Sequence, residues 1–141
     1  MIPKPKKKRN QLKYYRNKCD KLYQEMGRDL DYGRGCLVCS GTLSCLHHYI
    51  PKSRSTHLRY SLKNGIPICQ SCHFKLHNSD PTIQNEINRI KGDDWIKEIE
   101  AEYRKGIGMS AGVTYYKSMF KKLSLLKPYG INTKTISNKK A

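Results

Sequence analysis

Between Cys36 and His77 the chain carries five of its six cysteines and all five of its histidines, and no Asp or Glu. Two Cys-x2-Cys pairs, Cys36/Cys39 and Cys69/Cys72, are separated by 29 residues. Each pair can offer two thiolates from one tight turn, and four thiolates in a tetrahedron suit a structural zinc. A set of Cys36, Cys39, Cys45 and a histidine would orphan the second pair, so Cys45 is left outside it. His73 and His77 stand four apart on a predicted helix, where their side chains share a face and can grip one ion. The doublet His47-His48 ends a predicted strand. Neighbours on a regular strand point to opposite faces, so both reach one site only if the strand bends there. His57 has no partner in this pattern and is read as a bystander.

Imidazoles without carboxylates define a particular chemistry. A neutral imidazole, with a pKa of about 6.5, is a competent base at pH 7. One divalent ion with open positions can stabilise a phosphate oxygen and a departing 3′ oxygen while water attacks the phosphorus. No acid occurs across the 48 residues from Tyr32 to Ser79, so this stretch cannot build a two-metal carboxylate site. One ion is the count, and nitrogen ligands admit Mn, Ni, Co or Zn as well as Mg.

These residues must be positioned by short elements. Ser44–Ile50 and Gly65–Ile68 read as strands, the first closed by Pro51, and Gln70–Asn78 reads as a short helix. The polar, basic segment Lys52–Lys63 reads as a surface loop, with Lys52, Arg54 and Arg59 as candidate phosphate contacts. Before the cysteines, Leu12, Tyr15, Leu22, Tyr23 and Met26 recur at helical spacing, with Gly27 as the predicted stop and Cys19 as a small buried hydrophobe. After them, one helix is predicted from Pro81 to Gly92. A second is capped by Asp93 or Asp94 and ended by Gly106, and a third spans Val113–Leu126 and is ended by Pro128-Tyr129-Gly130. The organisation is a basic disordered arm over 1–10, an N-terminal helix over 11–32, a core over 33–79, a helical extension over 80–130 and a second disordered basic tail over 131–141.

A formal charge of +17, from 28 basic and 11 acidic residues, favours a polyanionic partner, with nucleic acid ahead of an anionic membrane surface. Seven of the eleven acids fall between Asp80 and Glu102, which leaves long acid-free windows to face phosphate. With 37% hydrophobic residues the core is thin, so a metal staple is expected. No apolar run follows the basic N-terminus and no window suits a membrane span, so the expected compartment is the reducing cytoplasm. The PKPKKKR run would also pass as a nuclear-import signal in a eukaryotic host.

Cys-x2-Cys, then His-His-x-x-Pro, then Asn-x4-Cys-x2-Cys-His-x3-His resembles the HNH endonucleases of the four-cysteine type, over about a third of the chain. The resemblance implies an α+β chain with a small ββα-metal core. In that family pattern His48 is similar to the general base, and Asn64 to the residue that braces the hairpin and orients it. His47, His73 and His77 are similar to the ligands of one catalytic divalent ion, and the four cysteines to those of a structural zinc. The implied activity is cutting or nicking of double-stranded DNA, as in phage and mobile-element nucleases. An RNA-directed nuclease on the same fold, or a zinc module that only binds nucleic acid, would share most of these residues.

Overall fold

A computed structural model describes residues 2–3, 10–30 and 34–140, with backbone alone for Leu30 and 127–140. In chain order it contains α1 (Gln11–Leu30), β1 (Cys45–His48), a 3-10 turn (Leu62–Asn64), β2 (Gly65–Ile68), α2 (Gln70–His77), α3 (Pro81–Lys91), α4 (Asp93–Lys105) and α5 (Val113–Lys140). This is a mixed α+β chain with two antiparallel strands and five helices, consistent with a ββα-metal core followed by further helices. The basic arm over 1–10 falls mostly outside the described residues. No described helix is long and apolar enough to cross a membrane.

The hairpin registers Cys45 with Ile68, Leu46 with Pro67, His47 with Ile66 and His48 with Gly65. Its two faces serve two cores. On one side Leu46 joins Cys19, Leu22, Tyr23 and Met26 of α1 and Tyr116 and Leu123 of α5. On the other, Ile66, Ile68 and three of the paired cysteines pack with Ile83 and Ile87 of α3. Asn10 starts α1 by accepting from Lys13 N with its side chain (3.2 Å), and Asp80 caps α3 in the same way through Thr82 N (2.9 Å).

Four expectations change. Gly27 does not stop α1; the helix continues to Leu30, because Gly27 is where Leu46 of β1 presses against the helix. A Cβ there would lie 1.9 Å from Leu46 Cδ1 and 2.4 Å from its Cγ, so glycine provides close approach rather than a break. Neither Asp93 nor Asp94 caps α4. Gly92, at φ +85°, closes α3 and opens α4, while both acids sit in the first turn, where the helix dipole favours negative charge. The helix α5 does not end at Pro128-Tyr129-Gly130 but runs to Lys140, so the expected disordered tail is helical over 131–140. A proline inside a helix removes one N–H and costs about 3 kcal/mol, which a long helix can carry as a local weakness. The Lys52–Lys63 loop is not wholly at the surface either: Ser55, Leu58 and Tyr60 are buried, and Ser55 Oγ accepts from Leu58 N (3.1 Å).

Gly27→Ala tests the helix–strand contact. In an open helix the change would add stability, by up to about 1 kcal/mol. Here overpacking against the buried Leu46 should outweigh that gain and destabilise the fold by about 1–3 kcal/mol, read from denaturant unfolding.

Candidate metal centres and catalytic groove

The cysteine pairs come from unlike structures. Cys36 and Cys39 sit on a turn closed by Cys36 N donating to Gly41 O (2.8 Å) and Ser40 N donating to Cys36 O (2.9 Å), with Ser40 at φ +62° and Gly35 at φ +73°. Cys69 and Cys72 lie at the start of α2, where Cys69 is the N-cap and its sulfur accepts from Cys72 N at 3.4 Å. All four sulfurs lie within 4.8 Å of one another, and those of Cys39 and Cys69 are 3.6 Å apart. A tetrahedral zinc with Zn–S of about 2.3 Å has sulfurs about 3.8 Å apart, so the donor set and its spacing fit. Although burial raises the Cys36 thiol, backbone N–H groups from Cys39, Cys69 and Val38 outweigh it and bring its pKa down to about 7. Burial and the neighbouring sulfurs push the Cys72 thiol up instead, so its proton would leave only as a cation binds. The four cysteines are therefore positioned to bind a structural metal, and Cys45 stands apart from them.

A second cluster lies across α2. His47 of β1 and His73 and His77 of α2 bring ligand nitrogens within 4.8 Å of one another, with His73 Nε2 and His77 Nε2 2.8 Å apart. His73 Nδ1 lies 3.4 Å from Cys45 Sγ, so the thiol excluded from the staple holds the back of a histidine ring. Burial, then repulsion from His73, His77 and His48, pushes the pKa of His47 down to about 4; burial and His77 lower that of His73. Neutral imidazoles at pH 7 are the form that binds metal.

His48 leaves β1 on the opposite side. It stacks on Tyr23 of α1 at a 5.2 Å centroid separation, and its Nε2 lies 2.9 Å from the Arg59 carbonyl. A carbonyl can only accept, so Nε2 carries the proton and Nδ1 presents a lone pair. Burial is the main cause that lowers the His48 pKa, with Lys52 and Arg59 adding to it, against the bond to the Arg59 carbonyl. The expected bend is not needed to unite the doublet. An open groove of about 660 Å³ wraps over the end of the strand and is lined by His47, His48, His73 and His77 together with Lys52 and Gln24.

Asn64 is fully buried. Its Oδ1 accepts from Ile50 N (2.8 Å), and its Nδ2 donates to Ile50 O (3.0 Å) and Leu58 O (3.3 Å), so it ties the chain leaving β1 to the loop that ends at Arg59. Of the three loop residues expected to contact phosphate, Lys52 and Arg54 are exposed. Arg59 turns inward and forms a two-pronged pair with Asp20 of α1, at 2.9 and 2.7 Å. His57 anchors the loop to α4 through Glu102 (3.2 Å).

Three α1 residues near the site carry no motif in the sequence. Asp20 holds Arg59, and Tyr23 covers His48. Gln24 bonds both ways with the backbone of Leu46, at 2.8 and 3.0 Å, and so mimics a third strand. Tyr23 was legible only as one more residue on an apolar helix face.

Residues 36–79 match the family model described as HNH endonuclease. No curated protein and no solved structure matches the chain. The matched segment contains both clusters that could hold a metal ion, His48 and Asn64, and points to a nuclease-type or nucleic-acid-binding function.

Replacing Cys72 by Ser should release the thiolate-bound metal and unfold the 36–79 segment, because a structural metal contributes folding free energy directly. Elemental analysis should then show about one zinc fewer per chain, with loss of structure by circular dichroism. An unchanged zinc content and spectrum would reject the four-thiolate assignment.

Proposed function

We propose that the chain is a metal-dependent endonuclease that hydrolyses DNA phosphodiester bonds, with His48 as general base. The observation that carries this reading is the His48 ring itself. Its proton is committed to the Arg59 carbonyl, and its free nitrogen belongs to a residue lining the same groove as three convergent imidazoles.

In this reading His48 Nδ1 takes a proton from a water molecule whose oxygen attacks the phosphorus. The P–O3′ bond breaks, leaving a 5′-phosphate and, after protonation of the departing oxygen, a 3′-hydroxyl. Asn64 holds both ends of the segment from Ile50 to Leu58, which keeps the base from drifting. Lys52, exposed on the groove, is placed to meet a phosphate oxygen, and exposed Arg54 can grip the backbone further along. Arg59 serves the site through its carbonyl rather than its charge. His47, His73 and His77 would hold a divalent ion, which would supply stabilisation of the charge that develops on phosphate and leaving oxygen. Mg, Mn, Ni, Co and Zn are all compatible with an imidazole set.

The remaining charge suits a DNA-holding frame. In this reading the core over 33–79 carries the chemistry, and the described helices that flank it in sequence, α1 and α3 to α5, bring basic residues to meet DNA. Double-stranded DNA in a reducing, cytoplasmic setting is the substrate this arrangement favours.

Incubating plasmid and a structured RNA with the protein and Mn or Mg, with chelator controls, tests the activity. Cleavage of plasmid should fall by about a hundred- to ten-thousand-fold in His48→Ala while DNA binding survives. Undiminished cutting would remove His48 as the base, and cleavage of RNA alone would replace the substrate. Because the base works unprotonated and its pKa is lowered, kcat/KM should rise with pH on the acid side and level off below about pH 6.5.

A further inference from the structure

The ring of His48 is held by the Arg59 carbonyl, inside the matched segment, and by Tyr23 of α1, beyond it. The Arg59 carbonyl that fixes its tautomer belongs to a loop, and a loop carbonyl stays in place only if the loop is tethered. The tether is on α1. Asp20 accepts from Arg59 Nε at 2.9 Å and Nη2 at 2.7 Å, and from Tyr60 Oη at 2.8 Å. One turn along the helix, Tyr23 donates to the Ser61 carbonyl at 2.9 Å and stacks on His48. Three consecutive loop residues, Arg59 to Ser61, are thus pinned to one face of α1.

We propose that Asp20 is a positioning residue for His48. By fixing Arg59 and Tyr60 it keeps the Arg59 carbonyl on the Nε2–H and leaves Nδ1 facing the groove. This rests on the reading of His48 as general base. A paired carboxylate is apt for the task. A two-pronged guanidinium–carboxylate contact sets direction as well as distance, and here the Arg59 side chain is 15% exposed and that of Asp20 29%. An exposed pair would hold a loop weakly; this one is shielded by Tyr60, itself buried against α1 and α5. Arg59 and Tyr60 occupy the oxygens of Asp20, so it does not bring an unpaired negative charge to an incoming phosphate.

The experiment uses the full chain, loaded with metal, on supercoiled plasmid. Asp20→Asn keeps one acceptor oxygen but removes the charge and the second oxygen. It should lower kcat by about ten- to a hundredfold with KM changed less than about twofold. Nitrogen-15 NMR should show a single Nε2–H tautomer for His48 in the parent and a mixture in the variant. In the His48→Ala background, Asp20→Asn should cost nothing further. Tyr60→Phe keeps the buried ring and removes only the hydroxyl, with its 2.8 Å bond to Asp20 and its longer 3.4 Å contact to the Arg16 carbonyl, so it should give a smaller loss of the same kind even if Asp20→Asn folds poorly. An equal loss from Asp20→Asn in both backgrounds, or full activity with an unmixed tautomer, overturns the role of Asp20 while leaving His48 as base. Parent-like cleavage by His48→Ala overturns both.

Discussion

Alternation of side chains across a four-residue strand is the constraint on which the site depends. From Cys45 to His48, successive side chains leave opposite faces of β1. Cys45 and His47 turn toward α2, where they meet His73 and His77; Leu46 and His48 turn toward α1. An imidazole of the three-histidine cluster and the imidazole proposed as the base can therefore be sequence neighbours without competing for the same space. Shifting the register by one residue would exchange them and bury the wrong nitrogen. The hairpin resists that slip through Leu46 seated against Gly27 and through Gly65 opposite His48. A Cβ at Gly65 would come within 2.7 Å of Tyr23 Oη.

So short a hairpin cannot hold itself, since an isolated two-stranded hairpin is marginal in water. It is clamped from both sides. The thiolate cluster fixes the turn at Cys36–Cys39 to the start of α2 and packs on Ile83 and Ile87, while α1 and α5 close over the other face. Asn64 and the Asp20–Arg59 pair then fasten the irregular chain between the strands. Polar contacts carry this part of the fold because the segment offers few apolar side chains. Leu58 and Tyr60 are the buried ones, and Arg59 between them is held by charge.

The two side-chain clusters were more legible in the sequence than their support. Cysteine and histidine spacings are set by what one ion can bind, so Cys36, Cys39, Cys69, Cys72, His47, His73 and His77 announce themselves, and both clusters form. Breaks set by glycine were half legible. Gly92 and Gly106 end helices, whereas Gly27 serves a tertiary contact that no local pattern encodes. Arg59 looked like its basic neighbours Lys52 and Arg54, because a charge run does not reveal which member faces an acid on a distant helix. Asp20, Tyr23 and Gln24 act through pairings that span about 20 to 40 residues of sequence, and nothing in their own neighbourhoods marks them.

At the centre of this account stand two different ion environments on either side of α2, one of thiolates and one of imidazoles. X-ray absorption at the edge of manganese or cobalt added to the zinc-containing protein tests that most directly. A first shell of nitrogen and oxygen with an imidazole signature, lost in His73→Ala while the zinc retains its sulfur shell, is the predicted result. Sulfur in the first shell of the added ion, or an imidazole signature that survives loss of His73, would contradict it.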